Sequence, residues 1–235
     1  MEKKTYIYSK LTRGNRSFFK RFTHNKRFIK ALNLINLDKD SKVLDFGTGD
    51  GYFLDLIYNK SKSKIVGYEP VLDMYVQLKD NIDNKEISIV NHLDEVSNIK
   101  FDVIYCLEVL EHFYKDFQIK LLNQIKSQLS SDGFVVISVP IEVGLGSFVK
   151  NTIRIIIKQY ERDTNFKNMV KALFYKKVNR SSENNYILTH IGFNYKKLDK
   201  IFSELGFTVV KKDYSPFKVL KGLNSQAFYV LKLKK

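Results

Sequence analysis

The stretch Val43-Leu44-Asp45-Phe46-Gly47-Thr48-Gly49-Asp50-Gly51-Tyr52-Phe53 constrains this chain more than any other. It is an apolar strand that ends beside an acid and runs into three glycines spaced by two. Residues without a Cβ let the backbone turn sharply from strand to helix and bring its N–H groups close to a ligand at the helix N-terminus. A dinucleotide fingerprint, G-x-G-x-x-G, would place its third glycine at position 52. That position holds Tyr52, and the third glycine is Gly51. The spacing argues for a nucleotide-type cofactor loop other than that of NAD.

With Asp45 just ahead of the glycines, the stretch resembles the first motif of class I S-adenosylmethionine-dependent methyltransferases. Two further segments continue the resemblance in order. Lys64-Ile65-Val66-Gly67-Tyr68-Glu69-Pro70 reads as a second buried strand ending in an acid eighteen residues past Gly51. A carboxylate there can accept both hydroxyls of a ribose. Phe101-Asp102-Val103-Ile104-Tyr105-Cys106-Leu107-Glu108-Val109-Leu110-Glu111-His112 reads as a fourth strand followed by E-V-L-E-H. It resembles the methyltransferase group that includes the ubiquinone-biosynthesis O-methyltransferases. The resemblance implies that S-adenosylmethionine is the cofactor. It implies that Asp45, Gly47, Thr48, Gly49, Gly51 and Tyr52 hold its amino acid end, and that Glu69 and Pro70 meet the ribose. His92 and Leu93 are expected near the adenine, with Cys106 and Leu107 bordering the cofactor.

Methyl transfer from a sulfonium asks mainly for in-line positioning, with a base added where a hydroxyl must lose its proton. His112 is the candidate base, since an unperturbed imidazole titrates near neutral pH. Glu111 stands beside it as a second catalytic candidate. The competing reading is that the histidine only fixes its loop. The spacing E-x-x-E-H also sets Glu108 near both Glu111 and His112 on one face of a helical turn. A divalent ion held there, with His190 completing the set as in some relatives, is the less favoured reading, and no metal ligand is assigned.

Alternation of strands and helices predicts an α/β fold. The resemblance specifies a Rossmann-like, seven-stranded and mostly parallel sheet with helices on both faces and an antiparallel last strand. Strands are expected near 42–46, 64–69, 87–90, 101–106, 133–139, 207–212 and 226–233. Helices are expected at 52–59, 71–81, 114–129 and 195–205, with 92–99 ambiguous. Phe18, Phe19, Phe22, Phe28, Ile29, Leu32 and Ile35 recur at helical spacing and predict an amphipathic helix over Arg16–Ile35. One domain is expected, with a basic N-terminal helical extension (1–40), a catalytic core (41–140 and 190–235) and a cap insertion after strand five (141–189). Between a strand and its next helix a short connection would suffice, so an insertion of that length suggests an acceptor cover.

Net charge and cysteine usage bound the partners. The chain carries a formal charge of +15 and one cysteine, Cys106, so it has no internal disulfide and no cysteine cluster for zinc. No apolar run is long enough for a spanning helix and no secretory segment opens the chain, which leads to a cytoplasmic expectation. Residues 1–30 hold ten Lys or Arg against Glu2 alone, and the chain ends Lys232-Leu233-Lys234-Lys235. Such clustering favours an anionic partner, RNA or an acidic membrane surface. Peripheral attachment through Ile153–Ile157 is the weakest of these readings, because no long basic amphipathic face is evident in the sequence. The segment after strand four lacks the Asn/Asp-Pro-Pro-aromatic element of amine-directed DNA methyltransferases, and no Pro-Cys nucleophile is present. A DNA-base substrate is not expected. The favoured acceptor is a hydroxyl of a small molecule, lipid or glycan. The alternatives are an RNA methyltransferase, metal-assisted at a 2′-hydroxyl, and a non-catalytic cofactor-binding protein.

Overall fold

A computed structural model describes residues 26–82, 84–216 and 223–234. The strands of its main sheet are β1 (Lys42–Phe46), β2 (Lys64–Tyr68), β3 (Ile87–Val90), β4 (Phe101–Leu107), β5 (Leu129–Pro140), β8 (Phe207–Ser215) and β9 (Gln226–Leu233), in the order β3-β2-β1-β4-β5-β9-β8. β1 pairs in parallel with both β2 and β4, β2 with β3, and the closing β8–β9 pair is antiparallel. The order turns back on itself at β1, between β2 and β4, which makes a topological switch point where open α/β sheets bind ligands. This is the seven-stranded, mostly parallel sheet that the sequence predicts.

The described residues fall into two compact units, Met1–Leu107 with Gln124–Val136 and Glu108–Asn123 with Ile137–Lys235. In the first, a helix α1 occupies 26–32, and its Phe28 ring stacks on Phe53 at 5.2 Å. The remainder of the predicted Arg16–Ile35 helix N-terminal to residue 26 lies outside the described residues, as does most of the basic N-terminal cluster. Helix α2 (Tyr52–Ser61) buries Phe53, Leu54, Ile57 and Ser61, one stripe at helical spacing. Full burial of such an apolar side chain stabilises by about 1.5–3 kcal/mol. Asp55 in its first turn and Lys60 in its last complement the helix dipole, and Lys62, left-handed at φ 56°, ends it. Helix α3 (Leu72–Asn81) buries Leu78. The ambiguous 92–99 stretch forms a 3-10 turn at Leu93–Val96.

In the second unit, a 3-10 turn at Leu110–His112 leads into helix α4 (Lys115–Gln128), most of which lies in this unit. Gln118 on α4 donates to the carbonyls of Leu110 and Phe113 and so fixes that turn. The cap segment folds as helix α5 (Gly144–Ile156), helix α6 (Phe166–Leu173) and a small antiparallel pair, β6 (Ser182–Glu183) with β7 (Tyr186–Ile187). Met169 and Ala172 of α6 pack with Val178 and Ile191, with Phe148 of α5 against them. The predicted 195–205 helix is shorter than expected. Tyr195–Lys197 is a 3-10 turn, and only Leu198–Glu204 (α7) is α-helical. β5 begins at Leu129, earlier than the expected 133, because Ser130 to Gly133 continue in extended conformation. A register shift between Val209 and Lys211 puts a bulge in β8.

Candidate active site

The glycine loop is built as its spacing requires. Gly47, Gly49 and Gly51 have φ of 84°, 63° and 80°, left-handed values that side chains rarely adopt. At Gly51 a Cβ would fall 2.4 Å from Leu78 Cδ1, so the turn is closed to larger residues by packing as well as by torsion. Glu69 is buried at the end of β2. Its Oε2 accepts the Gly49 N–H at 2.8 Å and its Oε1 the Val71 N–H at 2.9 Å. One carboxylate thereby spans the loop and the start of α3.

Asp45 is buried at the end of β1, and the Thr48 hydroxyl donates to its carbonyl oxygen. Burial raises the Asp45 carboxyl to about 7, against the hydrogen bonding of Thr48, and the nearby Glu69 charge adds to the rise. Burial also raises Glu69, against its two backbone hydrogen bonds. Two desolvated carboxylates beside a turn of left-handed glycines suit a ligand that is cationic at one end and carries hydroxyls. S-adenosylmethionine, with its ammonium and sulfonium, has that chemistry, and Asp45 and Glu69 would hold it.

The remaining residues expected at the cofactor lie as follows. Tyr52 opens α2, Pro70 is exposed after Glu69, His92 is exposed ahead of the Leu93–Val96 turn, and Leu93 is buried. Cys106 and Leu107 are buried at the end of β4.

A second cluster lies within the other unit. Glu108 has φ 58°, a left-handed conformation unfavourable for a non-glycine residue and one often found at functional sites. That turn does not set Glu108 on one helical face with Glu111 and His112. Its carboxylate instead accepts from Ser138 Oγ at 2.9 Å and Gln226 Nε2 at 3.1 Å. The group of Glu111, His112 and His190 forms without it, with candidate ligand atoms all within 4.8 Å of one another. One carboxylate and two imidazoles would suit manganese, iron or zinc better than magnesium. However, the guanidinium of Arg180, which donates to the Glu111 carbonyl at 2.8 Å, already brings positive charge to the buried Glu111 carboxylate.

His112 differs from the expectation of a base titrating near neutrality. Its Nδ1 lies 2.9 Å from the Ile187 carbonyl, and its ring stacks on Tyr186 with centroids 4.5 Å apart. Burial lowers its pKa to about 4, so the ring is neutral at pH 7. His190 is held by Glu161, with Nδ1 to Oε1 at 2.9 Å and its backbone N–H to Oε2 at 2.8 Å. Burial opposes Glu161 ionisation, yet the hydrogen bonds and charge of His190 and the nearby Arg154 bring it down to about 2. Sequence reasoning missed Tyr186, Ile187, Arg180 and Glu161. They come from the cap, far along the chain from His112, and no spacing signals them. Beside this group, Tyr114, Asp116, Phe117, Lys120 and Asn185 line an open cavity of about 530 Å³.

A family model of the methyltransferase domain matches residues 19–212. The tRNA U34 carboxymethyltransferase of Campylobacter fetus is 37% identical over 120 residues, 47% of this chain and 41% of that protein. The enzyme of the same name from Campylobacter hominis is 31% identical over 99 residues, 40% of this chain and 34% of that protein. The chain thus spans well under half the length of these relatives. An S-adenosylmethionine-dependent methyltransferase structure from Clostridium acetobutylicum aligns over 97% of both chains with a TM-score of 0.60 and 14% identity, a likeness of fold.

Proposed function

The chain belongs to the class I S-adenosylmethionine-dependent methyltransferase family, and we propose that it transfers a methyl group from this cofactor to RNA, with tRNA the first substrate to test. The observation that carries the reading is the 37% identity over 120 residues to a tRNA-modifying enzyme. A formal charge of +15 supports it, since phosphate contacts dominate the affinity of proteins for nucleic acid. So does the cavity beside the His112 group, where the exposed Tyr114 offers a ring face for an unstacked base and Lys120 a cation for its phosphate. Both curated relatives named above are tRNA enzymes by name, which favours RNA over the small-molecule, lipid or glycan acceptor expected from the sequence alone.

Bound S-adenosylmethionine supplies an activated methyl on a cationic sulfur. The work of the chain is to bind, orient and manage one proton. The glycine loop and Asp45 hold the amino acid end, and Glu69, pinned by Gly49 and Val71, holds the ribose. Because a carbonyl oxygen only accepts, the contact with Ile187 puts the His112 proton on Nδ1 and leaves Nε2 with its lone pair. Nε2 then serves as an acceptor for the N–H or O–H of the reacting group. With a pKa lowered to about 4, its role is orientation and transient proton acceptance more than storage of a proton.

The test is transfer of labelled methyl from S-adenosylmethionine into fractionated cell extract. Label in the RNA fraction supports the reading, and label confined to lipid, glycan or small metabolites refutes it.

A further inference from the structure

Helix α5 is built inside out. Ser147 and Asn151 are 1% exposed, and Asn151 Nδ2 donates to the Ser147 carbonyl at 3.0 Å and its hydroxyl at 3.2 Å. On the same polar side Lys150 Nζ meets buried Glu142 at 2.6 Å, and the Arg154 guanidinium lies 3.8 Å from it. The apolar residues are outside. Leu145, Val149, Ile153 and Ile156 recur four and three apart, which makes one stripe, and are 63%, 40%, 52% and 74% exposed. Ile157 continues the stripe past the helix end, half exposed. Nearby in the chain, Phe166 and Phe174 at the two ends of α6 are also largely exposed. A helix normally turns this stripe to a core, and contiguous exposed apolar surface marks an interaction site.

The charges in the same segment of the chain say what covers it. Residues 144–180 contain nine Lys or Arg and only two acids, Glu161 and Asp163. Both acids are engaged internally, Glu161 with His190 and Asp163 with Ser181 and Thr189. The exposed charges of this segment, Lys158, Arg162, Lys167, Lys176 and Lys177, are therefore all positive. We propose that the outer face of α5 docks on an anionic lipid surface, its Leu and Ile side chains entering the acyl boundary while the lysines meet the headgroups. Thirteen residues of α5 give a rod of roughly 20 Å, suited to lie in the interface plane and too short to span. Among the described residues no helix is long and apolar enough to cross a membrane. A second copy of the chain would bring a like-charged rim against this one, and the Leu, Val and Ile side chains that make up the α5 stripe itself offer an RNA base no stacking face. The long basic amphipathic face not evident in the sequence is supplied by α5 together with the lysines that follow it.

The test is co-sedimentation of the full chain with vesicles of phosphatidylcholine alone and of phosphatidylcholine mixed three to one with phosphatidylglycerol. The wild type is expected to sediment with the mixed vesicles only. The double variant Ile153→Glu/Ile156→Glu is expected to lose at least about tenfold in partitioning while binding S-adenosylmethionine as the wild type does, which shows that it is folded. Wild type remaining in the supernatant overturns the proposal, as does a double variant that partitions like the wild type. A wild-type dimer that the same substitutions split assigns the face to a second copy. A double variant that loses tRNA binding but keeps vesicle binding assigns it to RNA.

Discussion

The Nδ1 of His112 lies 2.9 Å from the carbonyl oxygen of Ile187, seventy-five residues along the chain. This single hydrogen bond fixes the tautomer of the ring, presents Nε2, and ties the loop after β4 to the cap. His112→Ala is accordingly expected to leave the Kd for S-adenosylmethionine within about twofold and to lower turnover by about 10–100-fold, the worth of one hydrogen bond to the reacting group. His112→Asn should recover part of the loss. A chelator should not affect the wild type. Loss of activity in chelator, restored by added manganese, iron or zinc, would assign Glu111, His112 and His190 to a metal instead.

Glu69→Ala removes a buried acceptor that anchors Gly49 and Val71. The expected loss in cofactor binding is about 1.5–3 kcal/mol, read by calorimetry on a variant whose folding is checked by circular dichroism. An unchanged Kd would mean that another acid holds the ribose.

Gly51→Ala combines a left-handed φ of 80° with a Cβ only 2.4 Å from Leu78 Cδ1. Torsional strain and the forced shift of a buried leucine should cost about 2 kcal/mol or more in urea unfolding. Retained stability with retained cofactor affinity would show that the turn tolerates a side chain.

Asp45 makes cofactor affinity depend on pH. Its folded pKa of about 7 lies above the ordinary 3.8, so the fold favours the protonated acid. Its contribution to stability is present at acidic pH and declines as pH rises from about 4 to 7. An ammonium ligand favours the ionised form and reverses that preference. Affinity for S-adenosylmethionine should therefore tighten as pH rises toward 7 and level off above it, with proton release on binding below 7. Asp45→Asn should flatten the profile, and calorimetry in buffers of different ionisation enthalpy reads both effects.

The cofactor half was legible in the sequence because its determinants are local. Gly47, Gly49 and Gly51 announce a turn that only glycine makes easily, and β1, β2 and β4 are short apolar runs with an acid at or beside their ends. The other half was not. Glu108 stands in the motif beside Glu111, yet its left-handed backbone turns its carboxylate to Ser138 and Gln226. The depressed pKa of His112 comes from burial, which spacing does not reveal. The exposure of the α5 stripe was not legible either, because periodicity identifies an apolar side without saying which way it points.

The central claim is tested most directly by incubating the pure protein with S-adenosylmethionine and tRNA, digesting the tRNA to nucleosides and analysing them by mass spectrometry. The account predicts one nucleoside heavier by a single methylene, formed by the wild type and strongly reduced with Glu69→Ala and His112→Ala. Unmodified tRNA, while the same preparation methylates a lipid, glycan or small metabolite, would contradict it.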